Sequence, residues 1–137
     1  FVINLMSDGE LGEGSTWEAA MSAGAQGLSN LICIVDFNDQ QADGPSTQVL
    51  SAEPVADKWR AFGWHTQRVD GNNIEAVRDA FDAARNHDGP QPRVIVFDTT
   101  MCKGVPFLEA REVNHFVRVE AEEWDRALAI LDEGQPQ

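Results

Sequence analysis

Basic residues are scarce in this chain. Ten Lys and Arg stand against 23 Asp and Glu, leaving a formal charge of −13 at pH 7. A general DNA or RNA binder needs a basic surface against phosphate, so that class is disfavoured. A single local phosphate site remains open, because backbone N–H groups and a bound cation hold phosphate without basic side chains. Cysteine is scarce as well: Cys33 and Cys102 are too few for a disulfide framework. Cys33 sits in an apolar run and reads as a buried thiol, Cys102 in a loop-like stretch as a free one. A reducing, cytoplasmic setting is the expectation. No stretch approaches the roughly 18 apolar residues of a membrane span. No charged, apolar and cleavage segments open the chain, so secretion is not expected. The P-loop and the Rossmann glycine fingerprint are both missing, as are internal repeats and low-complexity tracts. His65, His87 and His115 lack ligand spacing, which argues against a structural zinc site.

What is present suits a folded domain. The 137 residues are 42% hydrophobic, with four Trp and seven Phe. A chain of this size buries about two-thirds of its surface, enough for one core. Phe1 to Met6 is nearly all apolar and reads as a strand. Its two apolar faces imply either preceding residues or another chain over this edge.

Ser15 to Leu28 reads as a helix, with Ser15 and Glu18 in capping-box form. Trp17, Met21, Ala25 and Leu28 give it an apolar stripe, and Ala20, Ala23 and Gly24 would allow close approach to a neighbour. Leu31 to Val35 is a continuous apolar strand of the kind found in parallel sheets covered on both faces. A polar stretch comes next, with a turn at Asp43-Gly44-Pro45. Pro54 to Phe62 reads as a short helix and Trp64 to Val69 as a strand. Asn72 and Glu75 form a second capping box, and Ile74, Val77, Phe81 and Ala84 line the helix behind it. Asp88-Gly89-Pro90 stops that helix. Arg93 to Phe97 is a strand, Thr99 to Asn114 is irregular, and Glu122 to Leu131 is a closing helix with Trp124, Leu128 and Leu131 on one side. The alternation predicts an open α/β fold with a mostly parallel sheet and helices on both faces.

Ligand sites in such sheets lie beyond the C-terminal strand ends. Three ends carry polar clusters: Ser7-Asp8-Gly9-Glu10, Asp36-Phe37-Asn38-Asp39-Gln40 and Asp98-Thr99-Thr100. Asp8 offers an anionic oxygen, Asn38 a neutral one and Gln40 a backbone carbonyl. With two diphosphate oxygens and water, these complete six oxygens around Mg²⁺ or Ca²⁺. Gly9 would let backbone approach a phosphate. The competing reading of Asp8-Gly9 is an ordinary strand-to-loop turn.

The run from Asp8-Gly9-Glu10 through Glu13-Gly14 and Trp17-Glu18-Ala19-Ala20 to Asn38 resembles the thiamine-diphosphate motif. Asp43-Gly44-Pro45, Glu53 to His65, Val69-Asp70-Gly71-Asn72 and Lys103 to Glu109 make the whole chain resemble transketolases. The fit is to the N-terminal, diphosphate-binding subunit of split transketolase-like enzymes, with residues 1–137 as one partial domain. The resemblance implies Asp8, Asn38 and the Gln40 carbonyl as metal ligands, with Gly9 and Glu10 backbone against the diphosphate. It implies Glu13 and Glu18 at a dimer interface linked to proton communication, and His115 facing diphosphate and substrate. Glu18 also has the capping-box reading and His115 that of a loop contact. Lys103 is either a phosphate contact or a surface lysine, His65 a packing residue and His87 an exposed one. Ser7 replaces the motif's first glycine, and Asn114 a Trp.

The activity implied by the resemblance is that of a transferase: a magnesium-dependent thiamine-diphosphate (thiamine pyrophosphate) enzyme moving a two-carbon ketol unit between sugars or sugar phosphates. The pyrimidine-binding domain and its cofactor-activating glutamate, and the family's early His-containing segment, have no counterpart here. Activity is therefore expected only with a partner chain, in a heterotetramer or similar heteromeric complex. Two alternatives stand beside this. One is another thiamine-diphosphate enzyme, of 2-oxo-acid dehydrogenase or deoxyxylulose-phosphate synthase type. The other is a noncatalytic interaction domain with the same fold.

Overall fold

The computed structural model describes residues 1–112 and 114–134. Among them, strands β1 (Val2–Ser7), β2 (Leu31–Phe37), β3 (His65–Asp70) and β4 (Arg93–Asp98) form a parallel sheet in the order β1-β2-β4-β3. The helices are α1 (Gly14–Gln26), α2 (Ser46–Val49), α3 (Val55–Ala61), α4 (Ile74–Asn86), α5 (Pro106–Glu109) and α6 (Ala121–Glu133). The expected open α/β arrangement is present. The chain steps from β1 to β2 and on to the far edge at β3. It then turns back to place β4 in between.

That reversal distributes the helices over both faces. On one face Ala20 and Ala23 of α1 and Val55 and Trp59 of α3 pack against Cys33, Val35, Val94 and Val96. On the other, Ala80 and Ala84 of α4 cover Ile32, Ile34, Ile95 and Phe97. β2 and β4 are central and buried on both sides, which explains their unbroken apolar runs. β1 is an edge strand. Ile3 and Leu5, on the α4 side, are 58% and 69% exposed.

The helix faces differ from the stripes expected from periodicity. α1 buries Ala20 and Ala23, while Met21 and Leu28 are exposed. Its axis lies so close to the neighbouring chain segment that only small residues fit between them. α6 likewise buries Ala127, with Ile130 half-buried against Val105 and Leu108, and leaves Trp124, Leu128 and Leu131 exposed. Ile74, placed on the buried face of α4 by its spacing, is 78% exposed at the first position of the helix.

Two capping boxes also shift. α1 begins at Gly14 with Glu13 at its N-cap position and no side-chain cap bond, so Ser15 lies inside the first turn and does not pair with Glu18. In α4 the cap is Asn73, whose Oδ1 accepts from the Glu75 and Ala76 N–H groups at 3.0 and 3.2 Å. Adjacent polar residues are nearly equivalent as caps, and the incoming path of the chain selects one. A box that the sequence did not reveal opens α6, between Glu120 and Glu123. Gly27 ends α1 at φ 61°, a left-handed cap for which glycine is suited. The stretch expected to be irregular contains the short α5, and its Val113 lies outside the described residues.

Candidate functional site

The C-terminal ends of β1, β2 and β4 border a cleft of about 690 Å³. Ser7 and Glu10 line it from the end of β1, Asp36 and Asn38 from β2, and Thr99 and Thr100 from β4. This is the crevice that open parallel sheets offer to ligands.

Asp8 follows β1 directly. Its N–H donates to the Asp36 carbonyl at 3.0 Å, which extends the β1–β2 pairing by one residue. Its side chain is buried, with 1% of the residue exposed. Oδ2 accepts a hydrogen bond from Ser46 Oγ at 2.7 Å, and Oδ1 is buried without a partner among the described residues. Burial pushes the Asp8 carboxyl above its ordinary value. The Ser46 hydroxyl and the nearby Gly9 and Asp39 backbone pull it partway back, and Asp36 adds like charge. A buried acceptor left unsatisfied costs about 1–3 kcal/mol, and more when charged.

The loop after β2 carries the second ligand candidate. Asn38 Nδ2 donates to Asp36 Oδ2 at 3.3 Å, and Asn38 Oδ1 accepts from the Gln40 N–H at 2.9 Å. The other Asp36 oxygen accepts from the Thr99 hydroxyl, which ties the ends of β2 and β4 together. Asp39 adopts a left-handed φ of 56°, its carbonyl accepts from Ser46 N at 3.1 Å, and its side chain accepts from Thr47 N at 2.9 Å. These bonds fold the loop back and carry Ser46 onto Asp8. The turn expected at Asp43-Gly44-Pro45 is closed by pairing of Gln41 with Gly44. Gln40 Oε1 accepts from Asn114 N at 3.0 Å. Among the described residues no backbone N–H donates to the Gln40 carbonyl.

The remaining residues singled out from the sequence fall into different surroundings. Glu10 accepts from the Ser7 N–H at 2.8 Å and from its hydroxyl at 3.3 Å, so Ser7 and Glu10 close the first turn after β1. At Gly9 an added Cβ would lie 3.7 Å from Gln41 and Ser7, an ordinary contact, so the protein itself leaves room there. Glu13 and Glu18 are exposed at the start of α1 and do not line the cleft. His115 is exposed, with its ring edge-on to Phe116 at 4.7 Å, and does not line the cleft. Lys103 pairs with Glu109 at 3.6 Å, the surface reading. Asp98 is drawn away from the site by Arg68, whose guanidinium bridges Asp98 and Glu53 at 2.7 Å each. His65 and His87 stack at 3.8 Å beside Arg93, so His87 is half-buried where exposure was expected.

Among the described residues, no three His, Cys, Asp or Glu side chains gather where they could share a metal ion. Of the proposed ligands only Asn38 lines this cleft, beside the carboxylates of Glu10 and Asp36, whereas Asp8 is buried beneath the end of β1. A cation held by Asp8, Asn38 and the Gln40 carbonyl would meet one carboxylate and otherwise neutral oxygens. That donor set suits a hard cation whose remaining positions are filled by phosphate and water. The unpartnered Asp8 Oδ1 fits such an ion. Asp36 and Thr99 stood in the polar strand-end clusters without an assigned role, and Ser46 was not foreseen as a contributor to this geometry. A strand-end position was a usable signal for Asp36 and Thr99. Ser46 had none.

Comparison with known proteins adds to this geometry. Residues 1–131 match the family described as transketolase, thiamine diphosphate binding domain. An uncharacterised transketolase family protein of Sinorhizobium fredii is 66% identical over 134 residues, 98% of this chain and 48% of that protein. The 6-deoxy-6-sulfo-D-fructose transketolase subunit SqwG of a Clostridium species is 39% identical over 131 residues, 96% of this chain and 47% of that protein. The chain thus spans about half the length of these relatives. Transketolase from Leishmania mexicana superposes with a TM-score of 0.72 at 23% identity, over 97% of this chain and 23% of that one, and shares the fold. The chain belongs to the transketolase family, as a thiamine diphosphate binding domain.

Proposed function

We propose that residues 1–137 form the diphosphate-anchoring domain, in part, of a transketolase that moves a ketol unit between sugars or sugar phosphates. In this reading Asp8, Asn38 and the Gln40 carbonyl hold Mg²⁺, with Ca²⁺ as a substitute, and Gly9 and Glu10 backbone lies along the diphosphate. When bound, thiamine diphosphate supplies the carbon nucleophile and electron sink that the protein lacks. This chain's residues neutralise and orient the diphosphate, which fixes the cofactor against its substrate. The observation that carries the reading is Asp8: a buried carboxylate with one oxygen held by Ser46 and the other without a partner among the described residues.

A partner chain supplies the pyrimidine-binding domain and the activating glutamate. The Clostridium relative is named as a subunit, in keeping with a divided enzyme. Exposure of Glu13 and Glu18 leaves them free to meet a second chain, and that of His115 leaves it free to meet substrate. Two free thiols, Cys33 and Cys102, suit a cytoplasmic setting. Among the described residues no helix is long and apolar enough to cross a membrane.

Calorimetric titration of thiamine diphosphate into the assembled complex, with Mg²⁺ and with chelator, tests the site. Asp8→Ala should abolish the Mg²⁺-dependent binding; unchanged affinity would refute the assignment. Ketol transfer should appear on mixing with the partner chain, and transfer by this chain alone would refute the division of labour.

A further inference from the structure

We propose that Ser46 and Asp36 are positioning residues that fix which oxygens of Asp8 and Asn38 face the metal, an inference that rests on the function proposed above. A carboxylate can rotate to present either oxygen. Ser46 Oγ holds Asp8 Oδ2 at 2.7 Å and leaves Oδ1 as the oxygen that is buried and, among the described residues, without a partner. Ser46 is itself buried, and its N–H is tied to the Asp39 carbonyl at 3.1 Å, which fixes the backbone that carries the hydroxyl beside Asp8. Among the described residues the second oxygen has no hydrogen-bond partner, with the Gly9 and Asp39 backbone lying near the carboxyl.

Asn38 poses the matching problem. The two ends of its amide are nearly equal in shape but opposite in chemistry, and a flipped amide would turn N–H groups toward a cation. Asp36 Oδ2 accepts, so it takes the donor end of the amide, Asn38 Nδ2, at 3.3 Å. The amide oxygen then points the other way, where the Gln40 N–H at 2.9 Å takes one lone pair and leaves one for a metal. Asp36 is in turn held by the Thr99 hydroxyl. Each proposed side-chain ligand therefore has its own orienting partner.

Loss of an orienting partner weakens metal binding by roughly 10- to 100-fold in comparable sites. The loss should also depend on the ion. Mg²⁺ demands near-octahedral geometry, whereas Ca²⁺ accepts looser and more variable coordination. Poorly aimed ligands should therefore penalise Mg²⁺ more than Ca²⁺, which a general loss of stability would not do.

The test titrates Mg²⁺ and Ca²⁺ separately, by calorimetry, into the assembled complex with thiamine diphosphate, below the melting temperature of every variant. Ser46→Ala and Asp36→Asn should raise the Mg²⁺ dissociation constant by about 10-fold or more and the Ca²⁺ constant by less. Ser46→Thr, which keeps the hydroxyl, should restore Mg²⁺ binding. The inference is overturned if both variants stay within about twofold of wild type, or if the two ions weaken equally. Asp8→Ala separates the two levels. If it loses the metal while Ser46→Ala and Asp36→Asn do not, only the positioning role falls. If it binds as wild type does, the site assignment falls and takes the positioning role with it.

Discussion

Gly24 of α1 lies against the carbonyl of Phe62, and a Cβ at position 24 would sit 1.9 Å from that oxygen. The contact locks α1 to the turn after α3, where the Trp64 indole donates to the Ala20 carbonyl at 2.9 Å. The obstacle is backbone, which cannot rotate aside. Gly24→Ala should therefore destabilise the chain by about 3 kcal/mol despite its better helix propensity. Urea unfolding would show the lower midpoint. An unchanged midpoint would mean that α1 does not approach this closely.

Asp8→Asn should separate stability from cofactor binding. Burial raises the carboxyl above its ordinary 3.8. The stability contributed by this group is therefore full below 3.8 and is lost as pH rises through the raised folded value. The metal-free protein holds the Asp8 carboxyl buried with one oxygen unpartnered among the described residues, which disfavours its charged form. Asp8→Asn should stabilise it by about 1–3 kcal/mol, seen as a higher melting temperature without metal, and should lose the Mg²⁺-dependent binding.

His65 gives the opposite pH signature. Burial, the stacked His87 and the Arg93 charge hold its imidazole below the ordinary 6.5. The unfolded chain then binds the proton more tightly, so stability present above 6.5 is lost as pH falls toward the lowered folded value. Thermal melts between about pH 7 and pH 5 should show this loss, and His65→Gln should flatten it. An equal acid limb in both proteins would place the titrating group elsewhere.

Asn72 and Asn73 are neighbours with different duties. Asn73→Ala removes the α4 cap and should cost about 1 kcal/mol of global stability. Asn72 Oδ1 instead accepts from the Thr100 N–H at 2.8 Å, beside the cleft. Asn72→Ala should leave the unfolding midpoint nearly in place and increase amide exchange at Thr100. Equal losses of stability would restore the capping role to Asn72.

The alternation of strand and helix was legible because apolar runs and turn residues are local signals. Leu31 to Val35 announced a strand covered on both faces and Arg93 to Phe97 a strand, and both are buried on two faces. Asp8 and Asn38 stood out for the same reason, as polar residues at the ends of apolar runs. Helix faces read less well. Periodicity favours bulky apolar residues, so Met21 and Leu128 were assigned inward, yet Ala23 and Ala127 are the buried ones. The small residues Ala20, Ala23 and Gly24 did signal the close approach of α1, but which segment it meets, and so which face is buried, depends on both elements together.

The order of elements and the chemistry at the strand ends could be read directly, because each depends on residues adjacent along the chain. The partner of Asp8 could not. Ser46 lies 38 residues away, and meets Asp8 only after the β2 strand pairs with β1 and the Asp39 loop folds back. Such a contact comes from the packed chain as a whole, since a hydrogen bond between distant residues forms only where the sheet and its loops have already brought the two groups together.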